Sequence, residues 1–241
     1  MQYFTKWNKG GLELKILSID TSSNICAVAV LKDTTLLKEI SQNSGLTHSE
    51  NLLPMIQNLL SELTIPLKDI DLIVCDKGPG SFTGIRIGVA TAKGFSDSLS
   101  TPAIGISSLE ALAYNVKEPS VICSIIDAKN DNVYVGVFEN TGEQYILRRN
   151  FSLENIFNFI DELQSKEYPI IFVGDGAIKY KDEILKKIPN SKFSTNNYLS
   201  AYNLGLAGLA HYSVGQNDDL LPLYLRKPQA EINLNSQKGM C

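Results

Sequence analysis

Short apolar runs and polar turns alternate along the chain, and the apolar positions follow two periods. Leu17-Ser18-Ile19-Asp20 reads as an apolar strand ending in Asp. A polar turn over Thr21-Ser22-Ser23-Asn24 follows, then an alternating strand that places Val28 and Val30 on one face. A second turn leads to a third strand over 35–40. The period then changes: Leu52, Met55, Ile56, Leu59 and Leu60 recur at helical spacing and predict a helix over 49–63 with one core face. An apolar strand over 72–78 ends in a glycine turn, and a Gly- and Ala-rich helix runs on to about Leu99.

The same order returns. Ser124-Ile125-Ile126-Asp127 is again an apolar strand ending in Asp, and the run from Val133 to Phe138 again alternates. A third strand is expected over 143–149, a helix over 153–163, and a strand ending at Gly174-Asp175-Gly176. Strand, strand, strand, helix, strand, helix, written twice, is an internal duplication. Two such halves facing each other describe an α/β protein with the actin-like ATPase (ribonuclease H-like) fold, built from two duplicated βββαβα halves. The first half is expected over 14–107 and the second over 108–227, with the boundary between 101 and 108. A last helix over 201–213 is expected to return to the first half. Residues 1–13 read as a loose extension and 228–241 as a polar tail.

Composition narrows the function. The 241 residues are 44% hydrophobic and carry a net charge of −4. A protein that grips a nucleic-acid backbone by itself shows a basic excess, so any RNA role is expected to run through a partner. Cys26, Cys75, Cys123 and Cys241 form no close pair, and the first three lie in apolar runs, as buried reduced thiols do. No apolar run reaches membrane length, and the first residues lack the apolar core of a secretory signal, so a cytoplasmic protein is expected. His48 and His211 are the only histidines, too few for a His-based zinc motif, and no Gly-x-Ser-x-Gly elbow is present. His48 reads as a capping or packing residue.

The chemistry-bearing positions each admit two readings. Asp20 and Asp127 end strands, where actin-like kinases hold phosphates and magnesium, with a glycine close behind. Here Thr21-Ser22-Ser23 and Ala128-Lys129-Asn130 follow instead. The carboxylates are either residual phosphate or metal contacts or acceptors of backbone N–H bonds in their own turns, and the second reading is preferred. Gly78-Pro79-Gly80-Ser81-Phe82-Thr83-Gly84-Ile85-Arg86-Ile87-Gly88 is not a Walker A loop, because Ile85-Arg86 stands where Lys-Ser/Thr is needed. Its glycine spacing also departs from the dinucleotide fingerprint. Ser81 or Thr83 can cap the following helix and hold an anion there. Gly84, Gly88, Ala90, Ala92 and Gly94 thin one side of that helix, for packing within the first half or for a partner helix. Arg86 can take a phosphate or a carboxylate across an interface. The candidate nucleotide or anion contacts are therefore Asp20, Ser81, Asp127, Gly174 and Gly176.

Taken in order, Ile19-Asp20-Thr21-Ser22, His48-Ser49-Glu50…Leu53-Pro54-Met55, the 78–88 block, Asp127-Ala128-Lys129, Val133-Tyr134 and Pro222-Leu223-Tyr224-Leu225-Arg226 resemble the bacterial TsaB (YeaZ) family. The resemblance runs from about Leu14 to Glu231. Asp76-Lys77 is a local departure, since the family often leads into the block with small residues. The resemblance implies a non-catalytic subunit in forming threonylcarbamoyladenosine on tRNA, beside the anticodon. It implies a TsaD-like catalytic paralogue and a TsaE-like ATPase as partners, a homodimer when alone, contact with tRNA only indirectly, and no membrane association. The implied interface residues are His48, Leu52, Met55, Thr83, Arg86, Ile87, Gly88 and Thr91. No cofactor of its own is implied, beyond weak ATP or ADP binding or a nucleotide at the complex interface. The paralogue carries a His-x-x-x-His metal pair where this chain has Ser108 and Leu112, and leucine binds no metal. That substitution also argues against a metallopeptidase. The alternative is a small-molecule phosphotransferase, which rests on the duplicated fold alone.

Overall fold

The computed structural model describes residues 13–43, 48–163, 170–216 and 219–226. The polar tail expected over 228–241, and all but Glu13 of the extension expected over 1–13, lie outside the described residues. The strands are β1 (Lys15–Asp20), β2 (Cys26–Lys32), β3 (Thr35–Gln42), β4 (Leu72–Asp76), β5 (Ala103–Ile106), β6 (Ser120–Asp127), β7 (Asn132–Asn140), β8 (Tyr145–Asn155), β9 (Ile170–Val173) and β10 (Lys192–Phe193). The helices are α1 (His48–Glu62), α2 (Phe82–Leu99), α3 (Ser108–Ala113), α4 (Ile156–Leu163), α5 (Asp175–Lys179), α6 (Lys181–Lys187) and α7 (Ala201–Ser213).

Two five-stranded sheets carry one topology, β3-β2-β1-β4-β5 and, read in the matching direction, β8-β7-β6-β9-β10. In each, three antiparallel strands are followed by strands parallel to the first. The duplicated actin-like fold is thus present, with one further strand closing each half.

Alternation decides what each face of the first sheet meets. Leu17, Ile19, Val28, Val30, Ile73 and Cys75 point to one side, where Leu52, Met55, Ile56 and Leu59 of α1 and Ile85 and Val89 of α2 cover them. Ile16, Ala27, Ala29, Leu31, Leu72 and Val74 point to the other, covered by Ala201, Leu204, Ala207 and Leu209 of α7. Both faces are closed, so β2 is buried along almost its whole length. In the second sheet Cys123, Ile125, Val133 and Phe172 meet α4 and α6, while Ile122, Tyr134, Phe138 and Val173 meet α3. Serines set three helix starts: Ser81, Ser107 and Ser200 accept from the N–H groups of Gly84, Glu110 and Asn203.

The junction of β8 with α4 differs most from expectation, since the strand expected to end at 149 runs to Asn155. The helix predicted from 153 begins at Ile156, because Leu153, Glu154 and Asn155 extend β8 and pair with Tyr134, Val133 and Asn132. Leu153, Ile156 and Phe157 fit either period, and the ladder bonds to β7 settle the choice for the first of them.

Candidate functional site

The parallel pairing of β1 with β4 brings two strand ends together. Ile19 lies opposite Cys75, so Asp20 and Asp76, the next residues, end adjacent strands. Both carboxyls are closed off from solvent: Asp20 is 2% exposed and Asp76 0%. Asp20 Oδ1 accepts from Ser22 N–H at 2.8 Å and lies 2.7 Å from Ser22 Oγ, which is 3.0 Å from Asp76 Oδ2. Asp76 Oδ1 accepts from Gly78 N–H at 2.6 Å and from Ser108 Oγ at 2.7 Å. Burial pushes both acids above the ordinary carboxylate range, and for Asp76 the adjacent Asp20 pushes in the same direction. Burial, with Asp20 nearby, also raises the Cys26 thiol to about 11.

Asp20 is therefore closed off within the chain rather than open to a ligand. It is an internal acceptor in its own turn. The turn beside it is also filled. Ser81 N–H donates to Ser22 O at 2.7 Å, and Thr21 Oγ1 donates to Gly84 O at 2.7 Å. A Cβ added at Gly80 would drive into Ser22 O, and one at Gly84 into Thr21 O. The glycines let the first turns of α2 lie directly on the β1–β2 turn. The residues present do not fit a nucleotide phosphate beside Asp20, because protein atoms occupy that space.

This corrects part of the expected interface. Gly88 abuts Thr21 Oγ1 and the Cys75 thiol, so its small size serves packing within the chain. Leu52 and Met55 belong to the α1 face that covers the first sheet. His48, half-buried, has Nε2 2.7 Å from Ser23 O and ties α1 to the same turn. Arg86 is exposed, yet its Nε donates to the Tyr224 hydroxyl at 2.7 Å. Thr83 is exposed, and Ile87 and Thr91 are half-exposed. Exposed beside them on α1 and α2 are Leu53, Pro54, Ala90 and Gly94.

In the second half, Asp127 Oδ1 accepts from Lys129 N–H at 3.1 Å and pairs with Lys179 Nζ at 3.0 Å, while Oδ2 pairs with Lys129 Nζ at 3.1 Å. Burial would raise this acid, but the hydrogen bonds from Lys179 and Lys129 outweigh it and hold the carboxyl below its usual range. Gly174 has φ of 111° and sits hard against Ile125 O, and Gly176 abuts Ile125 and Asp127 N. These glycines seat α5 on β6, as Gly80 and Gly84 seat α2 on the first sheet.

Sequence reasoning passed over three features. In the sequence Asp76 shows only as a departure before Gly78, although the parallel-strand order places it beside Asp20. Glu110 and His211 form a pair at 2.7 Å lining a cavity of about 300 Å³ with Lys77, Phe138, Tyr145 and Phe151. The segment 219–226 crosses the 78–80 turn: Leu223 N–H donates to Lys77 O at 2.6 Å, Tyr224 stacks on Phe82, and Arg226 donates to Ala128 O at 3.2 Å. The conspicuous Pro222-to-Arg226 run was the available signal. Among the described residues, no helix is long and apolar enough to cross a membrane.

Residues 39–234 match a family model described as "TsaD: tRNA N6-adenosine threonylcarbamoyltransferase". The chain is 31% identical over 233 residues to the tRNA threonylcarbamoyladenosine biosynthesis protein TsaB of Bacillus subtilis, covering 93% of this chain and 100% of that one. It is 36% identical over 182 residues to the TsaB protein of Buchnera aphidicola from Schizaphis graminum, covering 73% of this chain and 86% of that protein. Among solved structures, YeaZ from Pseudomonas aeruginosa superimposes with a TM-score of 0.73 at 27% identity, covering 88% of this chain and 100% of that one. Component A of (R)-2-hydroxyglutaryl-CoA dehydratase from Acidaminococcus fermentans shares the fold alone, with a TM-score of 0.50 at 13% identity, covering 84% and 99%.

Proposed function

The chain belongs to the TsaB family of tRNA threonylcarbamoyladenosine biosynthesis proteins, and from that membership we propose that it is the non-catalytic scaffold subunit that supports a TsaD-like catalytic paralogue. The carrying observation is what occupies the positions of the paralogue's expected metal pair. Ser108 donates to the buried Asp76, and Leu112 is 2% exposed within the second core. Both side chains are committed to the fold.

The proposed docking face is the solvent side of α1 and α2. Leu53 is 54% exposed there and offers a large aliphatic side chain to a partner. Thr83, Ile87, Ala90, Thr91 and Gly94 offer a low surface beside it on α2, which admits a close helix approach. In this reading a TsaE-like ATPase joins the pair, two copies of this chain use the same face when the paralogue is missing, and tRNA is reached through the partner. Any nucleotide belongs to the complex interface rather than to Asp20. The whole assembly is placed in the cytoplasm.

The test is co-elution of the purified full chain with a TsaD-like protein. A stable complex that Ile87→Arg or Ala90→Arg dissolves is expected. Unchanged co-elution of both variants would overturn the interface, and tRNA modification by this chain without the paralogue would overturn the scaffold role.

A further inference from the structure

A serine hydroxyl has one proton to give and lone pairs to accept with. Ser22 Oγ lies within hydrogen-bond distance of two carboxyl oxygens, Asp20 Oδ1 at 2.7 Å and Asp76 Oδ2 at 3.0 Å. It can donate to only one. The other contact is attractive only when that carboxyl carries a proton and donates to Ser22 Oγ.

The remaining bonds say which. Asp20 Oδ1 already accepts from Ser22 N–H at 2.8 Å, and the hydroxyl contact to it is the shorter of the two, as expected for a bond to a carboxylate. Asp76 Oδ1 accepts from both Gly78 N–H and Ser108 Oγ. The oxygen left to carry a proton is Asp76 Oδ2. We propose that Asp76 is a neutral carboxylic acid in the folded chain, donating through Oδ2 to Ser22 Oγ while Asp20 is the carboxylate, so that one shared proton ties the β1–β2 turn to the 78–80 turn and to the start of α3.

The surroundings agree. The titratable side chains facing the pair are Cys26 on β2, Cys75 on β4 and His48 on α1. Both thiols are raised by burial, which keeps them uncharged. His48 interacts favourably with Asp20, though its Nε2 is engaged by Ser23 O. Of the nearby charged groups, Lys77 lays its stem along Gly105, Glu110 on α3 faces His211, and Arg86 on α2 faces Tyr224. Two adjacent buried carboxylates repel each other and are both desolvated, so retaining one proton is the lower-energy state. The inference stands apart from the proposed partner, since it concerns only contacts within the chain.

Its consequence is a stability that declines with rising pH. A group whose folded pKa lies above its unfolded value contributes most below the unfolded pKa and loses that contribution as pH rises to the folded pKa. Asp76→Asn is the neutral mimic: Asn can accept at Oδ1 and donate from Nδ2 to Ser22 Oγ. The ratio of the two unfolding constants, parent over Asp76→Asn, is expected to grow by up to about tenfold per pH unit from about pH 5 upward, until the folded acid ionises. Parallel pH dependences would overturn the proposal, as would a variant destabilised equally at every pH. The second measurement needs no variant to fold: carbon-13 carboxyl resonances of Asp-labelled full chain. A buried aspartate that stays protonated at neutral pH is expected, and a full set of ionised aspartates would overturn the assignment.

Discussion

Arg86 and Tyr224, 138 positions apart, are joined twice: Arg86 Nε donates to the Tyr224 hydroxyl at 2.7 Å, and the guanidinium carbon lies 5.5 Å from the centre of the same ring. The ring also stacks on Phe82, with centroids 4.9 Å apart. Tyr224→Phe should remove only the hydroxyl bond and lower stability by about 0.5–1 kcal/mol, because the pair is partly solvated. Tyr224→Ala also removes both ring contacts, and should free residues 219–226 for amide exchange well before global unfolding. Exchange that remains as slow as in the parent would show that Leu223 and Arg226 hold the segment by themselves.

The glycines of α2 should separate into two classes. Gly84→Ala would push a methyl into Thr21 O, a backbone atom, and should destabilise by about 1–3 kcal/mol or prevent folding. Gly94 has nothing within 4 Å of an added Cβ, and Gly94→Ala should stabilise by about 0.5–1 kcal/mol through helix propensity. Denaturant midpoints for the two variants measure this directly. Equal midpoints would contradict the seating of α2 on the β1–β2 turn.

Asp127 titrates in the opposite sense from Asp76. Its folded pKa is depressed, so its contribution is present above the unfolded value and is lost as pH falls through the folded one. Asp127→Asn should lower stability by no more than about 1 kcal/mol at neutral pH, since both lysines are substantially exposed. The gap should close as pH falls below the ordinary carboxylate range and shrink in high salt. A gap independent of both pH and salt would point to lost hydrogen bonds alone.

Position along α1 should decide whether a variant affects partner or fold. Leu53→Asp is expected to leave the unfolding midpoint within about 0.5 kcal/mol of the parent and to abolish co-elution with a TsaD-like protein. Leu52→Ala, one position earlier, should cost about 2–5 kcal/mol as a core truncation. A bulky residue at Gly88 would disturb Thr21 and Cys75 as well as any partner, so it cannot test the interface cleanly.

Much of this fold is written in local periods. Leu17, Ile19, Val28 and Val30 alternate because one face of their sheet meets α1 and α2, and the α1 stripe from Leu52 to Leu60 meets that same face. Such patterns are visible in one dimension. Which strand ends meet is not: Asp20 and Asp76 are 56 positions apart, and only the parallel register of β1 with β4 makes them neighbours. The small size of Gly84 and Gly88 was readable, but its beneficiary was not, because a close approach looks alike in sequence whether the neighbour is Thr21 or another chain. The short strand β10 has two residues and no period to detect. The overrun of β8 past Arg149 depended on pairing with β7.

The return of α7 to the first sheet carries a consequence for the order of synthesis. Ser18 Oγ donates to Ala201 O at 2.5 Å across 183 positions, and Ala201, Leu204 and Ala207 complete the core over Ile16, Ala27 and Leu31. As the chain leaves the ribosome, the first sheet has one face covered by α1 and α2 while the other waits for a helix not yet made. That apolar face stays open until nearly the whole second half has emerged, so the two halves mature together rather than in turn. A nascent chain halted before Ala201 should therefore be protease-sensitive and a chaperone client, and one halted far enough past Ser213 to release α7 should be neither.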